Sequence, residues 1–177
     1  MIGLKGLRRR ANRSLKRHGP WGTFVRAMKE PFFAVWAYRP SRLRWLREDK
    51  KFDKEFGVDT TGSILLSSLD IEGENWKYGV AYEPTDPKSF CAVLGNLRIN
   101  YERFVFIDLG SGKGRALLMA AEFPFKEIVG IELSRQLHQV AQRNIRSYKN
   151  PAMRCTALRS ICADAATYRI PYEPAVV

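Results

Sequence analysis

The sequence lacks any apolar run of the ~18 residues that a membrane-spanning helix needs. Residues 1–29 contain no acidic residue and no continuous apolar segment, so a secretory signal is not expected. Cysteines are scarce: Cys91, Cys155 and Cys162 are odd in number and lack the spacing of a metal site. These absences predict a cytoplasmic protein in a reducing compartment, without metal, in which Cys91 and Cys162 are buried thiols.

Charge is distributed unevenly along the chain. Residues 1–51 contain 15 Lys or Arg and 3 acids, whereas residues 52–177 contain 15 of each. The whole net charge of +12 therefore lies in the first part. We predict two regions: a basic N-terminal arm at 1–51 that contains aromatic residues and a helical pattern at 42–51, and a neutral folded domain at 52–177.

Three interpretations of the arm remain open. A charge-rich stretch is usually solvated, which favours a helical lid on the domain or a disordered arm. Basic residues interleaved with Trp and Phe could instead contact an anionic membrane surface, which would make the protein peripheral to a membrane. Contact with nucleic acid phosphates is the third interpretation.

A regular alternation of glycines follows an unbroken apolar stretch. Residues 104–107 are typical of a buried parallel strand, and Asp108 stands at its end. Glycines follow at 110, 112 and 114, then an apolar helix-like run, and then a second apolar strand that ends at Glu132. This order of strand, glycine turn, helix, strand and acid builds a pocket for a nucleoside-containing cofactor at the carboxyl end of a parallel sheet.

The details of this motif favour one cofactor over another. A dinucleotide fingerprint spaces its glycines as G-x-G-x-x-G around a pyrophosphate, whereas this chain has G-x-G-x-G. The carboxylate of Asp108 would repel a pyrophosphate but suits a ligand with a positive amino group. S-adenosylmethionine has such a group, a cationic sulfonium and no phosphate. Glu132 can accept hydrogen bonds from both ribose hydroxyls, which a nicotinamide cofactor would also need; an NAD-dependent oxidoreductase is the less favoured alternative.

The run Phe-Ile-Asp-Leu-Gly-Ser-Gly-Lys-Gly-Arg at residues 106–115, with Val-Gly-Ile-Glu-Leu-Ser at 129–134, resembles motif I and the next strand end of class I S-adenosylmethionine-dependent methyltransferases. It is similar to bacterial methyltransferases of unassigned substrate. It is more distantly similar to the non-SET histone lysine methyltransferases, which share Asp-Leu-Gly-Ser-Gly. The resemblance implies an α/β, Rossmann-like fold with a parallel sheet, and methyl transfer to an unidentified small molecule or protein.

The resemblance also implies roles for single residues. An acid at Asp164 would accept a hydrogen bond from the adenine amino group, and the loop from Tyr82 to Thr85 would close over the methionine end of the cofactor. Tyr82 could then make a cation–π contact with the sulfonium, although packing at a helix entry is an equal alternative. Leu133 is assigned either to the adenine ring or to the core. The predicted cofactor-binding residues are Tyr82, Thr85, Asp108, Gly110, Ser111, Gly112, Gly114, Glu132, Leu133, Asp164 and Ala165.

No catalytic residue can be named from the sequence. Lys113 and Arg115 are expected to be solvated or on the helix side. A full fold of this class has seven strands, and here the fourth begins at Ala175. We therefore expect a fold that is truncated after the third to fourth strand and that holds the cofactor-binding half. A non-catalytic cofactor-binding or interaction fragment is the main alternative function.

The sequence also predicts local structure. Residues 52–63 are expected to form a loop, and Tyr78 to Pro84 an extended segment. Thr85 and Ser134 are expected to cap helices, since both are good N-cap residues. A weak strand is expected at 158–163.

Overall fold

The computed structural model of the chain describes residues 49–69, 71 and 81–177. Nearly all of the predicted basic arm lies outside these residues, as does the first part of the extended segment, at 78–80. The interpretations of the arm therefore stay predictions. Within the described ranges, no helix is both long enough and apolar enough to cross a membrane.

The described part of the chain has four parallel strands, β1 (Val105–Leu109), β2 (Glu127–Glu132), β3 (Leu158–Cys162) and β4 (Ala175–Val176). They form one sheet in the order β3-β2-β1-β4. The chain runs outward from β1 to β3 and returns to the other side of β1, which places a topological switch point between β1 and β4. Ligands of open α/β sheets bind outside the carboxyl ends of the strands at such a point. The predicted α/β fold with a parallel, Rossmann-like sheet is confirmed.

Within the described residues, four helices accompany the sheet. They are α1, whose described part is 49–56, α2 (Pro87–Gly95), α3 (Arg115–Ala120) and α4 (Arg135–Ser147). Short 3-10 turns lie at Leu66–Ser68 and Tyr101–Arg103. The helix α3 connects β1 to β2, and α4 connects β2 to β3, as parallel neighbours require.

The loop predicted at 52–63 is wrong for its first part, because α1 extends to residue 56. Phe52 and Phe56 are four residues apart on this helix, with ring centroids 4.9 Å from each other. Both rings pack on Tyr148, which follows α4, at 6.5 and 5.2 Å. Tertiary packing of these rings thus holds a helical turn that the local sequence signals did not indicate.

The cap of α2 differs from the prediction by one residue. Asp86, rather than Thr85, accepts the hydrogen bond from Ser89 N, at 2.8 Å. Hydrogen bonds from Ser89 hold the pKa of Asp86 below its usual range. Pro87 occupies the first helical position, where its missing N–H costs nothing, and this fixes the start of the helix. The predicted cap at Ser134 is confirmed, with its Oγ 3.4 Å from Leu137 N.

The core lies on both faces of β1 and β2. Alternate residues of the two strands, such as Phe106 and Ile128, pack on one face with Leu117, and Ile107 and its neighbours pack on the other. Every residue of α3 is buried. Burial of this whole helix explains why its sequence is apolar all round apart from its first residue.

The three thiols have different environments. Cys155 is buried, Cys91 is half-buried and Cys162 is exposed. Burial raises the pKa of the Cys155 and Cys91 thiols. The prediction of a buried Cys162 is wrong, because this residue ends β3, which forms an edge of the described sheet.

At Gly130, the strand β2 packs closely against α3 and the glycine turn. A Cβ built on Gly130 would lie 2.6 Å from both Leu117 Cδ1 and Ser111 Oγ. Leu117 belongs to the buried helix α3, and Ser111 to the glycine turn before it. Glycine at this position therefore sets how closely the turn and its helix approach the sheet.

We expect Gly130→Ala to destabilise the domain by about 1–3 kcal/mol, because the added methyl group must displace buried neighbours. Gly95→Ala is the matched control, since Gly95 ends α2 and a Cβ there would meet no atom within 4 Å. The control should be neutral or stabilising by up to about 1 kcal/mol. Urea denaturation of both variants measures the difference, and equal stabilities would contradict the packing argument.

Candidate functional site

The glycine turn between β1 and α3 has a backbone that favours glycine. Gly110, Gly112 and Gly114 have φ values of 89°, 54° and 84°. The amides of Gly110 and Ser111 donate to the carbonyl of Ile131, at 2.8 and 3.0 Å. The turn is thereby fastened to the carboxyl end of β2, next to Glu132.

Glu132 is buried and connects three elements. Its Oε2 accepts from the amide of Gly112 at 2.7 Å, and its Oε1 accepts from the amide of Ser134, also at 2.7 Å. Burial raises the pKa of Glu132, and the amide hydrogen bonds oppose that rise. One carboxylate thus joins the end of β2, the glycine turn and the start of α4, while each oxygen keeps accepting capacity for another donor.

Asp108 lies on β1 directly before the turn. Its side chain is half-buried, and its carboxylate has no hydrogen-bond partner among the described residues. Burial, and secondly the charge of Glu132, raise the pKa of Asp108 to about 6. A half-buried carboxylate without a partner favours a cationic or hydrogen-bond-donating ligand group beside it.

The ring of Tyr82 lies directly over Gly112. A Cβ on Gly112 would be 2.3 Å from Tyr82 Cε2, so only glycine permits this approach. The Tyr82 hydroxyl donates to the carbonyl of Thr60 at 2.6 Å, and its backbone pairs with Ile64 in an antiparallel bridge. Burial and neighbouring carboxylates raise the pKa of Tyr82 far above its usual value, so the hydroxyl stays neutral.

A cleft opens between this tyrosine loop and the carboxyl end of β1. The residues that line it are Tyr82, Glu83, Pro84, Thr85, Asp108, Gly110, Ser111, Arg115 and Ala116. The structure therefore brings the predicted loop and the predicted strand-end acid to one place. Gly112 and Glu132 adjoin the cleft through the contacts just described.

The other predicted residues lie away from the cleft lining. Gly114 meets Ala141 of α4, where a Cβ would be 3.2 Å from the Ala141 Cβ. Leu133 packs against the core cluster of Leu69, Ile71 and Leu137, and Ala165 packs against the cluster that contains Ile107. Asp164 accepts from the amide of Ala166 at 2.9 Å. Roles for these residues in cofactor binding stay predictions.

Arg115 is buried at the start of α3, so of the two expectations for it, a solvated side chain or a place on the helix side, the first is wrong. It is 1% exposed, and its guanidinium pairs with Asp49 and, at 3.3 Å, with Asp53 Oδ1. Its Nε donates to Thr60 Oγ1 at 2.6 Å, and its Cζ lies 4.9 Å from the ring centroid of Phe52. Burial lowers the pKa of Arg115 to about 10, which leaves it charged at neutral pH.

Asp53 fixes the position of Thr60 and Thr61, and Thr60 in turn contacts Arg115. The Asp53 carboxylate accepts from the amides of Thr60 and Thr61, at 2.7 and 2.8 Å, and from both threonine hydroxyls. Thr60 therefore links Arg115 to Tyr82. Its hydroxyl accepts from Arg115, and its carbonyl accepts from Tyr82, whose ring lies over Gly112.

Lys113 and Asn144 also hold residues 59–61 in place. Lys113 is 7% exposed, which also corrects the expectation for it, and its Nζ donates to Asp59 Oδ1 and the Thr61 carbonyl, both at 2.8 Å. Asn144 exchanges hydrogen bonds with the backbone of Asp59 and donates to the carbonyl of Lys113. Sequence reasoning missed this network. The available signal was the pair of acids four residues apart at Asp49 and Asp53, beside Phe52 on one helix.

Residues 78–157 match the family model described as histone methylation protein DOT1. The matched stretch is less than half of the chain, and it includes the glycine turn and the strand that ends at Glu132. The resemblance drawn from the glycine motif is thereby confirmed. None of the curated proteins matches the chain.

Some solved structures are similar to this chain over part of their length. An RNA methyltransferase from Salinibacter ruber in complex with S-adenosyl-L-homocysteine is 23% identical, with a TM-score of 0.38, over 48% of this chain and 52% of that one. The tRNA (m1A58) methyltransferase TrmI from Aquifex aeolicus is 19% identical, with a TM-score of 0.39, over 52% and 41%. The chain thus spans about half of the first protein's length and less of the second's.

We expect Arg115→Ala to destabilise the domain by about 3–5 kcal/mol, because it leaves the buried carboxylate of Asp49 without its counter-charge. Lys126→Ala is the matched control: it breaks the exposed ion pair with Glu173 and should cost less than about 1 kcal/mol. Denaturant unfolding measures both variants. A loss for Arg115→Ala no larger than the control's would show that the network does not hold the segment.

Proposed function

We propose that this chain binds S-adenosylmethionine in the cleft at the carboxyl end of β1 and serves as the cofactor-binding part of a methyltransferase. The observation that carries the proposal is the carboxylate of Asp108. It is half-buried, faces no partner among the described residues, and stands at the topological switch point of the sheet. The protonated amino group of the cofactor would supply the missing partner.

The charges around the glycine turn suit this cofactor better than a dinucleotide. Two carboxylates, Asp108 and Glu132, flank the turn, and an anionic pyrophosphate would be repelled by both. The cations of the turn are already engaged, since Lys113 donates to Asp59 and Arg115 to Asp49 and Asp53. Neither is available to neutralise a phosphate. An NAD-dependent oxidoreductase is therefore disfavoured, and binding of NAD without binding of S-adenosylhomocysteine would establish it.

Each residue of the site has a distinct part in the proposal. Asp108 holds the amino group, the free accepting capacity of Glu132 takes the ribose hydroxyls, and the Tyr82 ring lies beside the sulfonium. Asp164, Ala165 and Leu133 are proposed to hold the adenine. When bound, the cofactor supplies an electrophilic methyl group, and the protein contributes mainly by positioning it.

Methyl transfer by this chain is part of the proposal, and its acceptor is unidentified. The chain spans about half or less of the methyltransferases of known structure named above, so a cofactor-binding fragment without transfer is the second candidate. Tritiated S-adenosylmethionine separates the two, because only an active enzyme moves the label to an added acceptor. The free thiols fit the proposed cytoplasmic location.

We predict that affinity for S-adenosylhomocysteine, which keeps the amino group, falls below about pH 6, by up to about tenfold per pH unit, because Asp108 becomes protonated. In the unliganded protein, the contribution of Asp108 to stability changes in the opposite direction, being larger at low pH. The folded pKa lies above the ordinary 3.8, so this group's stabilising contribution is full below that value and is lost as the pH rises through about 6. Asp108→Asn should remove both dependences. Calorimetry across this range measures the affinity, and a variant with the wild-type profile would refute the role of Asp108.

We predict that Glu132→Gln destabilises the domain by about 1.5–3 kcal/mol and weakens S-adenosylhomocysteine binding about tenfold or more, because an amide can accept from only one of two backbone donors. Glu127→Gln, at the other end of β2, is the control. Among the described residues, the only ion pair of Glu127 is the exposed one with Arg159, so this change should cost under about 1 kcal/mol and leave the affinity unchanged. A stability loss without a change in affinity would remove Glu132 from the binding site.

A further inference from the structure

The acid-free part of the domain is the stretch between Glu132 and Asp164. It contains six basic residues, at positions 135, 143, 146, 149, 154 and 159, and no Asp or Glu. Residues 52–132, in contrast, contain thirteen acids and eight bases. The neutral domain is therefore divided into an acidic part, which includes the proposed cofactor cleft, and a basic part formed by α4 and β3.

Most of these cations are exposed and unpaired. Arg159 pairs with Glu127. Arg135, Arg143, Arg146, Lys149 and Arg154 are exposed, and within the described part of the chain none of them forms an ion pair. Arg135, Gln139, Arg143 and Arg146 follow each other at intervals of four, four and three residues, so they share one face of α4. Successive members are about 4.5–6 Å apart along the helix axis.

The character of this face indicates which anionic partner fits. The apolar side of α4 is already used, since Leu137 and Ala141 are buried against the domain. The exposed side therefore lacks the apolar residues that would enter a lipid surface. Arginine and glutamine side chains are common donors to phosphate and sugar oxygens. The face also has no exposed aromatic residue on which a base could stack, which favours backbone contacts that are independent of sequence.

The position of the face relates it to the cleft. Arg135 begins α4 three residues after Glu132, and Ser134 between them donates its amide to Glu132. A bound strand could extend about 20 Å along α4 from the edge of the proposed cofactor site.

We propose that the exposed face of α4, formed by Arg135, Gln139, Arg143 and Arg146, binds the sugar–phosphate backbone of a nucleic acid. The binding goes beyond the proposed cofactor function and does not depend on it. It is dominated by charge, and its affinity falls as the salt concentration rises.

The test uses the full chain and fluorescein-labelled RNA and DNA oligonucleotides, with fluorescence anisotropy over a series of salt concentrations. The variant carries Arg135→Gln, Arg143→Gln and Arg146→Gln. The control carries Lys88→Gln, Arg98→Gln and Arg103→Gln, which removes the same charge from exposed positions outside α4. The α4 variant should bind at least about tenfold more weakly, with a slope of log affinity against log salt that is smaller by about 2–3. The control should stay close to wild type.

Three results would overturn the proposal. The wild-type chain could fail to bind either oligonucleotide, or the two variants could lose affinity equally, which would mean that only net charge matters. The α4 substitutions could instead abolish binding to phosphatidylserine vesicles while oligonucleotide binding is kept, which would make this a lipid-binding face. Melting curves confirm that both variants are folded, as expected for exposed side chains.

Discussion

The site depends on the buried ion pairs that the guanidinium of Arg115 makes with Asp49 and Asp53. Arg115 begins α3 directly after the glycine turn, and it binds the carboxylates of Asp49 and Asp53 in a place where little water reaches. A charge buried in this way is stable only while its partners stay in position. Asp53 in turn holds Thr60, whose carbonyl receives the Tyr82 hydroxyl. These contacts join the loop that contains Tyr82 to α3, the helix that begins after the glycine turn. The Tyr82 ring lies over that turn.

A second constraint is the proximity of two carboxylates at the carboxyl ends of β1 and β2. Glu132 is stabilised by two backbone amides, whereas Asp108 receives no such bond within the described residues. Burial, and secondly the charge of Glu132, raise the pKa of Asp108 to about 6. Ionisation of Asp108 costs free energy in the unliganded protein, and a cationic ligand group beside the carboxylate would offset that cost. The acidic cleft and the basic face of α4 give one small domain two surfaces of opposite charge.

The sequence allowed the sheet, the glycine turn and both strand-end acids to be predicted, because these depend on local patterns of apolar residues and glycines. The network around Arg115 could not be predicted, since it joins residues more than sixty positions apart, such as Asp49 and Arg115. Cys162 was placed wrongly for a similar reason: its exposure depends on where β3 lies in the sheet, which no local pattern records. Tyr82 was singled out only by resemblance, and its approach to Gly112 could not be predicted because it joins residues thirty positions apart.

A crystal structure of the chain with S-adenosylhomocysteine tests the central claim most directly. The account predicts that the ligand's amino nitrogen lies within about 3.2 Å of an Asp108 carboxylate oxygen and that the ribose hydroxyls face Glu132. The ring of Tyr82 should lie beside the ligand's sulfur. A ligand that binds with its amino group away from Asp108, or at another place on the sheet, would contradict the account.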